Sequence, residues 1–191
     1  HHYTAHRMPL LWDLIEESPL LTDEQRLRIT NDLRWNCELV TDYGIGHSRH
    51  GAYAGLTAYA AARYFSTYYP SDRWSQLLER VRDNFVWWME HPTSWGEGDL
   101  LPWINTSLHP VLIYFMISDP QPWIDSGAAR MALETFPAIW SGRPHEPAIE
   151  AQGLNLMHRA AWLLRDGRYT YMARQADYDY DVFRIGQSWW P

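Results

Sequence analysis

HGAYAGLTAYAAARYFSTYYPSDRWSQLLERVRDNFVWWME, residues 50–90, sets two different helical patterns back to back, and their contrast decides the fold. In the second half, Trp74, Leu77, Leu78, Val81, Phe85 and Trp88 recur at steps of three and four, which lines them up on one face of a helix. The charges of that half fall mostly off this stripe. Ser71 or Asp72 is a natural N-cap and His91-Pro92 is a stop, so the spacing predicts an amphipathic helix over 72–90. The first half is apolar in every direction, from Ala52 and Tyr53 through Leu56 to Tyr64 and Phe65, and such a helix is buried on all sides. Pro70 ends it. A wholly buried helix followed by a half-exposed one is an αα-hairpin with an inner and an outer arm.

The same pairing is read along the rest of the chain. Met8–Glu17 is an inner arm answered by an outer arm over Thr22–Val40, which opens on the cap-like Thr22-Asp23-Glu24-Gln25. Ser107–Ile117 is answered by Ile124–Trp140, with a kink expected at Pro137. Ile149–Arg165 is a fourth inner arm, and Tyr169–Ala176 begins its outer partner. Each inner arm carries a histidine expected near its start: His6, His50, His109 and His158. Their separations cluster around the period of two helices plus loops. The expected fold is all-α, with αα-hairpin repeats forming part of an α/α toroid, as an incomplete barrel or a solenoid. Residues 1–191 are read as a single helical domain. Four hairpins and the terminal Trp189-Trp190-Pro191 lead to the expectation of a fragment of a larger toroid-containing protein.

Composition narrows the function. All sixteen basic residues are arginine, the net charge is −7, and no basic run occurs, which argues against nucleic acid as a partner. The longest purely apolar run, Val111 to Ile117, is far shorter than the roughly 20 residues a spanning helix needs, so no membrane partner is expected. Cys37 is the one cysteine, which excludes an internal disulfide framework. Without lysine there is no Schiff base and no P-loop, and no cofactor is indicated.

Three inter-arm stretches carry chemistry-bearing groups. In Asp42–Tyr53, Arg49, His50 and Tyr53 fall in the first turns of a helix. His50 and Tyr53 share a face, suited to moving a proton, while Arg49 suits a carboxylate and Tyr43 lies just before. A His capping its own helix beside a core Tyr is the structural alternative. His47 and His50 have a metal-compatible spacing, but no third ligand follows, and no metal is expected. In Pro92–His109, Glu97 and Asp99 suit the acid and base of a glycosidase. Trp95 and Trp103 suit stacking on sugar faces, and Asn105 and His109 are one turn apart. In His145–Arg159, Asn155 and His158 share a face beside Arg159, and such polar groups on an apolar helix need partners, each other or a ligand.

His47-Ser48-Arg49-His50, the apolar helix ending Ala62-Arg63-Tyr64-Phe65, then Pro70 and the Trp74-headed helix together resemble the α/α-toroid polysaccharide lyases of the heparinase II/III-like and alginate-lyase-like group. The resemblance extends over about Tyr43 to Tyr114. It implies that His50 helps neutralise or deprotonate a uronate, and it matches Ser107 and His109 to the stretch that carries the family's catalytic Tyr-His. Leu108 stands where that family has the tyrosine. The expected function is that of a carbohydrate-active domain working on an oligo- or polysaccharide by β-elimination of a uronate polymer. Arg49 or Arg159 would bind the carboxylate, Asn105 would stabilise enolate-like charge, and His50, His109 and Tyr53 or Tyr43 would move protons. A toroid-type glycoside hydrolase using Glu97 and Asp99, or a non-catalytic helical scaffold, remains open at this point. Further expected partners are the remainder of the polypeptide or a self-association surface, and a polysaccharide substrate would place the protein outside the cytoplasm, secreted or periplasmic.

Overall fold

The computed structural model describes residues 2–42, 44–93, 102–140 and 147–175. Among them the regular structure is entirely helical: α1 (His2–Ala5), α2 (Arg7–Ile15), α3 (Asp23–Asp42), α4 (Arg49–Tyr68), α5 (Asp72–Glu90), α6 (Pro102–Ile117), α7 (Gln121–Asp125), α8 (Ala128–Trp140), α9 (Pro147–Leu164) and α10 (Gly167–Gln175). The chain divides into two compact units, one through Trp88 and one from Met89 onward.

In the first unit the capping chemistry is local and explicit. Thr22 Oγ1 accepts from the Gln25 N–H at 3.2 Å, and Gln25 Oε1 accepts from the Thr22 N–H at 2.8 Å, a reciprocal capping box at the head of α3. Ser48 caps α4 by accepting from the Gly51 N–H at 3.1 Å. Apart from Tyr59, Arg63 and the ends, α4 is buried along its length. Its C-terminal half packs Ala61, Ala62, Tyr64 and Phe65 against Trp12, Leu33, Cys37 and Trp74. Two contacts fix the direction of α2 on α4: His6, before α2, faces Tyr53 near the start of α4, and Glu16, after α2, accepts from the Tyr64 hydroxyl near its end. The inner arms α2 and α4 therefore run parallel. The outer α5 runs back along α4, with Trp74 stacked on Phe65 at 4.7 Å and Phe85 and Asn84 against Gly55.

The second unit repeats this logic. Inner arms α6 and α9 pack on each other, and α10 packs on α9. Pro120, just after α6, lines the same groove as Ala161–Arg165 at the end of α9, so α6 and α9 also finish at one end and run parallel.

The bounds differ from the sequence reading at informative places. The arm expected from Ser107 begins at Pro102, because proline in the first helical turn gives up no hydrogen bond and arrives with a helical φ. The arm expected over 124–140 is two helices, α7 and α8, parted at Ser126-Gly127. Gly127 takes φ +77°, which glycine adopts without a Cβ clash. Helix α8 continues past Pro137. As α6 and α9 start early, His109 and His158 lie well inside them, while His6 and His50 stand at helix starts.

Candidate functional site

Two clusters gather the titratable and aromatic groups singled out by sequence, one in each unit. In the first unit the start of α4 is the organising element. Ser48 fixes its first turn, and Gly51 lies so close to the Gly46 backbone that a Cβ would meet it at 2.5 Å. The loop is thereby pressed onto the helix head. Arg49 Nε donates to His50 Nε2 at 3.2 Å, and His50 is exposed. His47 stacks on Trp87 of α5 with ring centroids 4.1 Å apart and planes 7° from parallel. Tyr53 is turned inward, 6% exposed, with its ring 6.0 Å from that of the buried His6. His50 and Tyr53, expected to act together, thus divide between solvent and core.

In the second unit Arg159 of α9 and His109 of α6 are in direct hydrogen-bonded contact, through Arg159 Nη1 and His109 Nε2. Arg159 is buried and His109 half-buried. A guanidinium has only donors, so His109 Nε2 accepts and the neutral ring carries its proton on Nδ1. His158, next along α9, is half-buried. Burial first, and then the charge of Arg174, lower its pKa from the usual histidine range and favour the neutral imidazole. Both Arg–His pairs place a permanent cation on an imidazole nitrogen.

Other sequence candidates are placed less fully. Trp103 and Asn105 lie on α6 and Asn155 on α9. Tyr43, Trp95, Glu97 and Asp99 lie outside the described residues. Among the described residues no group of three or more His, Cys, Asp or Glu is arranged to hold a metal ion. No described helix is long and apolar enough to cross a membrane. Sequence reasoning missed the His47–Trp87 stack, having weighed His47 as a metal ligand and as the head of the His47-Ser48-Arg49-His50 pattern. The signal was available as an aromatic at the end of the outer arm facing the loop before the inner one.

No protein-family model matches this chain, and comparison with curated proteins and with solved structures finds no match. The likeness to toroid lyases therefore rests on the residues quoted for it.

Proposed function

We propose that the chain is the αα-hairpin part of an α/α toroid in a carbohydrate-active protein, and that it acts on a uronate-bearing polysaccharide by β-elimination. The observation that supports this is the Arg159–His109 contact, which joins a carboxylate binder and a proton acceptor across two parallel inner arms. Arginine binds a carboxylate bidentately and keeps its charge at any working pH. A uronate carboxylate is a stronger acceptor than a neutral imidazole, so an arriving substrate draws the guanidinium away from His109. Carboxylate neutralisation makes the hydrogen on C5 of the sugar more acidic, and the freed Nε2 lone pair accepts it. The C5–H electrons form the C4=C5 double bond as the C4–O bond breaks, and the departing oxygen takes a proton from the His109 imidazolium, which returns to its neutral form. Asn105, one turn before His109 on α6, is the proposed donor to the enolate-like charge.

The test is incubation with polygalacturonate, alginate and heparan-type polymers while following the unsaturated-uronate absorbance. His109→Gln should lower kcat by about 10²-fold or more. Arg159→Gln should raise KM as well, and Arg159→Lys should rescue only part of that loss. No absorbance rise on any uronate polymer overturns the proposal, and new reducing ends without the chromophore would replace it with hydrolysis.

A further inference from the structure

Away from the Arg159–His109 pair, the second unit contains a groove of about 1080 Å³ between α7, the head of α8 and the last turn of α9. Trp162 forms one wall and is 57% exposed, with Met131 and Ile124 extending the apolar surface. Gln121, Glu134 and Arg165 add planar polar groups.

The charges around this groove are not equivalent. Arg130 reaches Glu134 at 3.0 Å and Asp166 at 3.3 Å, while Arg168 reaches Glu134 at 3.1 Å and Asp166 at 2.6 Å. Two cations and two anions close on each other and leave no net charge. Arg165 is outside this quartet. It is exposed, and its guanidinium makes no hydrogen bond or ion pair to another described residue. It also occupies the position just past α9 with φ +50°, a left-handed conformation that glycine ordinarily fills there. An arginine is thus held where the backbone favours glycine, in a groove beside an exposed indole.

We propose that this groove binds an acidic sugar, with a hexuronate ring stacked on Trp162 and its carboxylate paired with Arg165. A pyranose offers a face of C–H groups to an aromatic plane. Gln121 and Glu134 supply the donor and acceptor that ring hydroxyls require. Among the described residues lining the groove, Arg165 is the one cation outside the quartet, and it matches one carboxylate, in a chain whose net charge of −7 repels acidic polymers at long range. This site is separate from the proposed reaction centre, and it rests on that reading only for the choice of a uronate among acidic sugars.

The experiment is ¹⁹F NMR of the full chain labelled with 5-fluorotryptophan, with the Trp162 resonance assigned by Trp162→Phe. Trigalacturonate should shift that resonance saturably, and cellotriose should do so at least about tenfold more weakly, as loss of a charge-assisted pair implies. Arg165→Gly should weaken the trigalacturonate titration by a similar factor. Because glycine suits the backbone there, the variant should stay folded, checked by its other tryptophan resonances. An unmoved Trp162 resonance, equal shifts from cellotriose, or an unaffected Arg165→Gly titration would each overturn the proposal. Benzoate competing as well as the sugar acid would overturn the sugar assignment. Absence of lyase activity leaves this titration readable, so the two proposals fail separately.

Discussion

Individual residues already make opposing demands on stability. Arg165 sits in the left-handed region at the end of α9, a conformation costing a non-glycine residue about 1 kcal/mol. Arg165→Gly should therefore raise stability by up to about 1 kcal/mol, or about 2–4 °C in Tm, measurable by calorimetry. A gain in Tm together with lost trigalacturonate binding is the signature of strain kept for a ligand. Cys37 makes a different prediction. Burial, helped by the neighbouring Glu38 charge, pushes its thiol up from 9.0 to about 12. The folded state thus holds the proton more tightly than the unfolded chain. The corresponding stability is fully present below pH 9 and is lost as pH rises towards 12. Denaturant unfolding from pH 8 upward should show this decline, and Cys37→Ala should make it shallower. A charged thiol reagent at pH 8 should label Cys37 only after unfolding. In the second unit the carboxyl of Asp166 is held far below the usual carboxylate range, first by its hydrogen bonds with Arg168 and then by Arg130. Glu134 is lowered in the same sense by Arg130 and Arg168. Their contribution is present above the ordinary carboxylate pKa and fades as pH falls through the depressed values, but at so exposed a site salt should screen it readily.

At the scale of elements, caps and close approaches carry the helices. Thr22→Ala removes the hydroxyl of the α3 capping box and should cost about 1 kcal/mol in urea unfolding. Gly55→Ala acts through packing. Its Cβ would stand 3.1 Å from the Phe85 ring and 3.2 Å from Asn84 Nδ2, both on α5 and both buried, so these side chains must give by a few tenths of an ångström in a packed seam. The expected loss is about 1–3 kcal/mol, and a neutral outcome would mean that the α4–α5 seam is looser than its geometry. The inner and outer arms of this hairpin were legible because burial on all sides and burial on one stripe are local patterns. The α5 bounds emerge directly from Asp72 and the stop before Pro92. The early start of α6 was overlooked because polar Asn105, Thr106 and Ser107 mask its helical phase, although Pro102 was a usable start signal. The α7–α8 break was overlooked because one glycine's φ is set by the turn it must make, which periodicity does not register. The Arg159–His109 contact joins residues 50 positions apart. Sequence nominated both, but only the packing of α6 on α9 brings them together.

For the whole molecule, the division after Trp88 has consequences for how stability is distributed. The core around Trp12, Cys37, Phe65 and Trp74 belongs to the first unit, whereas Leu112, Trp123, Leu133 and Met157 are buried in the second. Each unit has its own parallel pair of inner arms, α2 with α4 and α6 with α9, so each can respond to a core perturbation through its own contacts. Gly55→Ala is the natural probe because the atoms it displaces, Phe85 and Asn84, lie in the same unit as Gly55. Native-state hydrogen exchange should show reduced protection in α2, α3 and α4 of this variant, with α9 and α10 exchanging as in the wild type. The reciprocal probe is Leu133→Ala, which empties a fully buried site in α8 and should cost about 2–5 kcal/mol with the loss of protection confined to the helices of the second unit, α6 to α10. If either substitution lowers protection uniformly along the chain, the two units unfold as one cooperative block. If each effect stays within its own half, the hairpin pairs are separate folding units, as expected of a repeat architecture in which each arm is stabilised chiefly by its neighbours.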